Sequence, residues 1–181
     1  MKEEKHLKIN NNKIFGFTLV ELLVVMAILG VLVTIIAGGF RSAQARGRDA
    51  ERKSDLKQVS QSLELFFSDY GRYPDDASGK ILGCPYSTGG GSSCTWGESE
   101  FTDTKTIYFK TLPQDPTSSL SYFYRIVPSS SNQKFQLFAH LENTQDQDCL
   151  GGNCQTPPVA YSCGDKTCNF AVTSANTSAT E

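Results

Sequence analysis

A chain of 181 residues has room for one domain of ordinary size. Apolar residues make up 39% and charged residues 20%, which excludes a wholly disordered polymer, and a formal net charge of −2 excludes a protein basic enough in bulk to hold nucleic acid. Mean hydropathy is −0.30, yet residues 17–40 are almost wholly apolar, so the chain reads as a membrane-associated head on a polar body.

Residues 1–16 read as a leader in which Lys2, Lys5, Lys8 and Lys13 stand against Glu3 and Glu4, a net of +2. Phe17–Phe40 follows and is apolar on all sides; at about 1.5 Å per residue it makes a helix of roughly 36 Å, enough to cross a hydrocarbon core of about 30 Å. Two bland readings compete here. One is a secretory signal peptide with Ala37-Gly38-Gly39 as its small-residue cleavage site, and the other is a plain anchor. Neither explains Glu21. An ionised side chain this close to lipid costs on the order of a few kcal/mol, so the carboxylate needs a cation. Lys13 lies too far back to meet it along one helix. A cut between Gly16 and Phe17 would create an α-amino cation four residues away. In helices stacked with an axial stagger, that amine answers the Glu21 of a neighbouring copy, and the buried acid sets the register.

The run Lys13-Ile14-Phe15-Gly16-Phe17-Thr18-Leu19-Val20-Glu21-Leu22-Leu23-Val24-Val25 resembles the N-terminus of type IV pilins and type II secretion pseudopilins. The resemblance implies a leader removed after Gly16 by a prepilin peptidase, N-methylation of Phe17, and an assembly role for Glu21. The leader is longer than in many members of that family.

Beyond residue 40 the helical pattern continues and becomes amphipathic. Residues 41–53 carry a net of +3, and Asp49 precedes Lys53 by four, an expected pair on the exposed side. Leu56, Val59, Leu63, Phe66, Phe67 and Tyr70 fall on one face, and Gly71 and Pro74 mark the stop. Gly38, Gly39 and Gly47 are weak points in the helix, which fits either a flexible joint or local melting when subunits pack. The period then changes. Thr106–Leu112, Leu120–Val127 and Lys134–Leu141 read as strands, the last two joined by a hairpin loop at 128–133, and together they predict a small antiparallel sheet on the apolar face of the helix. In the last strand Phe135, Leu137, Ala139 and Leu141 share the inner face, with Gln136 and His140 on the other. Residues 84–96 read as a disulfide-closed loop and 171–181 as a flexible tail.

Ser68-Asp69-Tyr70-Gly71-Arg72-Tyr73-Pro74, Leu112-Pro113-Gln114-Asp115-Pro116 and Phe135–Glu142 are similar, more weakly, to the type II secretion major pseudopilin. With the N-terminal match, the likeness covers about residues 13–142 and implies an α+β pilin fold. The expected organisation is a leader at 1–16, a transmembrane and filament-core helix at 17–40, its amphipathic half at 41–70, a sheet domain at 71–170 and the tail at 171–181.

All six cysteines (Cys84, Cys94, Cys149, Cys154, Cys163, Cys168) follow the apolar run, as suits a body folded in an oxidising compartment. Both flanks of the run are basic, so the cysteines rather than the positive-inside rule orient it. Six cysteines allow 15 pairings; sequential pairing, each pair closing a small loop, is the expectation. The spacing is looser than in usual zinc sites. From residue 54 onward eight basic residues oppose fourteen acidic ones, a poor surface for phosphate backbones, and no nucleic-acid partner is expected. The family resemblance also implies a calcium ion in the loop after the last long strand, where Asp146 and Asp148 are candidate ligands beside a solvated-loop alternative.

No nucleophile elbow, phosphate loop or metalloprotease pair occurs, and only His6 and His140 are available as imidazoles, so no catalytic residue and no other cofactor are expected. The expectation is a homo-oligomeric filament subunit of a type IV pilus or type II secretion pseudopilus. Its partners are the prepilin peptidase, the membrane and an assembly platform. It would be held single-pass in the cytoplasmic membrane with the C-terminal domain outside. The alternative is a non-polymerising, membrane-anchored extracellular binding protein.

Overall fold

The computed structural model describes residues 16–128 and 130–181; the leader expected at 1–16 lies outside them except for Gly16. One helix, α1 (Leu19–Tyr70), is followed by nine short strands: β1 (Asp76–Ala77), β2 (Lys80–Ile81), β3 (Phe101–Thr102), β4 (Ile107–Phe109), β5 (Phe123–Ile126), β6 (Phe135–Ala139), β7 (Ser162–Cys163), β8 (Lys166–Thr167) and β9 (Phe170–Thr173). The chain divides into two compact units, one ending at Arg41 and the other running from Ser42 to Glu181.

In the first unit none of the large apolar side chains described on α1 is buried. Every large apolar side chain from Phe17 to Ile35 is between 48% and 86% exposed. Among the described residues no single helix is long and apolar enough to cross a membrane; Leu19–Ile35 and Gly39–Tyr70 meet the requirement as a pair, by length and composition only.

In the second unit the same helix carries the predicted apolar stripe. Leu56, Val59, Leu63 and Phe66 are wholly buried against Phe101, Tyr124, Phe135 and Leu137. Tyr70 stays at the rim, stacked on Phe66 at 4.6 Å between ring centroids. Acids on the flanks of the stripe accept hydrogen bonds from tyrosines of the domain: Tyr122 to Asp55 at 2.6 Å, Tyr73 to Glu64 at 3.0 Å and Tyr108 to Asp69 at 2.8 Å. The helix ends where predicted. Gly71 adopts φ +67° and its N–H bonds back to the Phe67 carbonyl at 2.8 Å, a left-handed cap that suits glycine.

The sheet differs from the sequence expectation in composition and in burial. β5 and β6 form the predicted hairpin, with Phe123 opposite Phe138 and Ile126 opposite Phe135. The third strand is β9, pairing Ala139 with Phe170 and Gln136 with Thr173. The segment at 106–112 instead pairs with Phe101–Thr102 in a two-stranded ribbon. Residues 171–181, expected as a flexible tail, thus begin as a core strand. Ser174 is buried and exchanges hydrogen bonds with Phe135, and the Gln136 amide donates to the Ser178 carbonyl at 2.5 Å. The physical reason is that β6, flanked by β5 and β9, is covered on both faces. All five of its residues are buried, and the Gln136 face, expected to be the outer one, packs under the C-terminal segment. There a second cluster joins Phe138 to Cys163 and Cys168, with Phe123, Tyr161 and Ala171 around it.

The cysteines pair sequentially as Cys84–Cys94, Cys149–Cys154 and Cys163–Cys168, with Cα separations of 5.1, 5.0 and 5.1 Å. The last closes the two-residue hairpin of β7 and β8. Gly164 turns there at φ +76°, where a Cβ would sit 2.2 Å from the Ser119 carbonyl oxygen.

Candidate functional site

Gly16 and Phe17 lie outside regular secondary structure, separated from α1 by Thr18. Thr18 is the N-cap and Glu21 the third helical residue, and the two cap each other. The Thr18 N–H and Oγ1 each donate to Glu21 Oε2 at 2.8 Å, and the Glu21 N–H donates to Thr18 Oγ1 at 3.2 Å. Thr-Leu-Val-Glu is therefore a capping box, a signal present in the sequence that the reading of Glu21 as a bare charge passed over. The box satisfies hydrogen bonds to the carboxylate without cancelling its charge. The demand for a cation remains once this end of the helix enters an apolar environment. An acid, a capped helix start and an apolar helix surface open on every side make up this site.

A second constellation lies where α1 meets the loops of its domain, and here sequence reasoning missed the principal residue. Arg52 is fully buried. Its guanidinium grips Asp115 with two bonds of 2.8 Å, and it also donates to Asp49 and Glu142 at 2.8 Å and to Thr117 at 2.9 Å. Arg48 forks onto both carboxylate oxygens of Glu142, sharing Oε1 with Arg52. Asp49, expected on the exposed face beside Lys53, is instead buried. It pairs with Arg52 and accepts the backbone N–H groups of Glu142 and Asn143 at 2.9 and 2.8 Å. An acid one turn from the domain's return loop is worth more as a backbone cap than as a solvated helix pair. Hydrogen bonds from Arg48 hold the Glu142 carboxyl down to about 2, burial opposing them and Arg52 assisting.

Lys53 turns to the same loop, its ammonium 2.8 Å from Asp146 and 2.6 Å from Asp148. Burial opposes its charge, but the two carboxylates outweigh burial and keep its pKa above the ordinary value. Asp146 and Asp148 thus come together as the calcium expectation requires, but upon an ammonium. Among the described residues no group of three or more His, Cys, Asp or Glu side chains converges as a metal cage would. As arranged, this donor set does not fit calcium.

His140 bonds the Thr167 carbonyl through Nδ1 at 2.7 Å at the end of β6. Asp75 pairs with Arg72 at 2.9 Å, and Asp76 accepts the Ile126 N–H at 3.0 Å. These polar groups are engaged in holding turns and strand ends.

The family model for the prokaryotic N-terminal methylation motif matches residues 11–37. The chain is 30% identical over 142 residues to the type II secretion system core protein G of Pseudomonas aeruginosa, a match covering 76% of this chain and 93% of that protein. Over 63 residues it is 43% identical to the type IV major pilin protein PilA of Myxococcus xanthus, covering 35% of this chain and 29% of PilA. The core protein G of Aeromonas hydrophila is 28% identical over 111 residues, 56% of this chain and 66% of that protein. No solved structure matches the chain significantly.

Proposed function

Since the chain belongs to the family of pilin-like structural subunits that includes the core protein G of type II secretion and the type IV pilins, we propose that it is cut after Gly16, methylated at Phe17 and polymerised through α1. The observation that carries this reading is the apolar, unpartnered helix from Leu19 to Ile35 with one carboxylate in its first turn. In the membrane that surface is covered by lipid. In a filament it is covered by the helices of other copies, and Glu21 is answered by the new amine of a neighbour. The subunit spans the cytoplasmic membrane once, with the disulfide-bonded domain outside the cytoplasm. It serves as a protomer for an assembly platform after a prepilin peptidase has acted. The resemblance to core protein G, which covers 76% of this chain against 35% for PilA, favours a secretion-type filament over an adhesive or motile pilus.

Intact-mass measurement on protein from its native cell tests the processing: the expected species starts at methylated Phe17, and an uncut chain would refute it. Glu21→Ala tests the polymer. The variant is expected in the membrane at wild-type level with filaments reduced at least tenfold by sedimentation and imaging. Normal filament yield would overturn the charge-pairing account.

A further inference from the structure

On the part of α1 from Ser42 to Tyr70, every acid but one is used by the chain's own domain. Asp49 is buried against Arg52 and two backbone N–H groups, and Asp55, Glu64 and Asp69 each accept a hydrogen bond from a tyrosine. Glu51 is exposed and has no hydrogen-bond or ion-pair partner among the described residues. Burial raises the Asp55 carboxyl above its ordinary value, the Tyr122 hydroxyl opposes the rise, and the charge of Glu51 one turn away adds to it. The cations of the same stretch divide likewise. Arg48, Arg52 and Lys53 are paired with acids of the domain, whereas Arg46 is exposed and unpaired among the described residues. Asp49 and Asp146 line an open cavity with Arg46, but they are held by Arg52 and Lys53.

Arg46 and Glu51 cannot meet on one helix. At about 100° per residue they lie roughly 140° apart, one on each side of the buried stripe of Leu56, Val59, Leu63 and Phe66. One flank of α1 thus presents an unanswered cation and the other an unanswered acid. Parallel copies of such a helix join flank to flank in one direction, the heterologous contact that propagates into an open filament. The axial register agrees. A Phe17 amine set against the Glu21 of a neighbour shifts adjacent copies by four residues, about 6 Å along the helix. In a filament every part of a copy moves by the same step. Arg46 therefore comes level with residue 50 of that neighbour, about 1.5 Å short of Glu51 along the helix. The same shift sets Arg41 level with Ala45 and Lys57 level with Gln61, neither of them an acid. We propose, resting on the reading that α1 polymerises with the Phe17 amine on a neighbour's Glu21, that Arg46 of each copy pairs with Glu51 of that same neighbour. Each copy gives its Arg46 to one neighbour and its Glu51 to another, so the clamp repeats at every step of the polymer.

The test compares filament yield, by sedimentation and imaging, from cells making Arg46→Glu, Glu51→Arg and the two together. Thermal unfolding of each full-length chain in detergent micelles is the control. Each single reversal sets like charges face to face and is expected to lower filament yield by about fivefold or more, with membrane level and unfolding temperature as in wild type. The double reversal restores opposite charges and is expected to recover at least half of the wild-type yield. Wild-type yield from either single variant would overturn the pair, as would a double variant that assembles no better than the singles. So would an unfolding temperature several degrees lower in a single variant, since that residue would then act within its own domain. Failure of polymerisation through α1 looks different: wild type itself forms no filament, or Glu21→Ala still does, and the pair falls with it.

Discussion

The two halves of α1 solve the same problem by opposite means. From Leu19 to Ile35 the helix is apolar all round, and its large side chains are left exposed by the protein itself. From Asp49 to Phe66 only one stripe is apolar, and it is fully buried by the chain's own sheet, with Arg52 buried beside it. One half is completed by the fold and the other requires lipid or further copies of the helix. A side chain's contribution is therefore legible in a different experiment for each half: in unfolding of the domain for the second, in membrane retention and assembly for the first.

The largest test of that contrast is Arg52→Met. It leaves Asp49 and Asp115 buried without their cation and is expected to destabilise the domain by about 3–5 kcal/mol in chemical denaturation. A loss under about 1 kcal/mol would mean that the network is ornamental to the fold. A matched pair of truncations sharpens the comparison. Leu63→Ala should cost about 2–5 kcal/mol of domain stability. Leu29→Ala, equally apolar but exposed, should leave domain unfolding unchanged and act only on assembly. The smallest effect is that of acid. Glu142 is held at about 2, below the usual carboxylate range, and Asp146 is also held low. Burial opposes the charge on Asp146, and the Lys53 ammonium and the Asp148 N–H outweigh it. Depressed carboxyls contribute stability that is present above their unfolded-state values and lost as pH falls through the folded ones. Unfolding midpoints should therefore hold steady through neutrality and decline from about pH 4.5 toward pH 2. Glu142→Gln should flatten that decline.

Much of the fold is visible in local pattern. The 3–4 spacing of Leu56, Val59, Leu63 and Phe66 marks the buried stripe, Gly71 its end, and the alternation at 123–126 and 135–139 the central hairpin. The candidate assembly site is equally local, since Gly16, Phe17, Thr18 and Glu21 lie within six consecutive positions. The misreadings share a cause. Asp49 and Lys53 have helix spacing, but each found a partner in the loop after β6, 93 to 95 positions away. Gln136 reads as an outward position only while residues 171–173, which complete the strand to its far side, read as tail.

Periodicity, capping and the placement of one acid in an apolar run are properties of neighbouring residues, and on these the sequence by itself determined the helix and its apolar head. Which strand lies beside β6 depends on pairing across 31 to 37 positions, and which loop carboxylates surround Arg52 and Lys53 on chain segments brought together from 63 to 95 positions apart. Those choices were decided only in the tertiary structure, because a charge can be buried only where its counter-charges arrive with it.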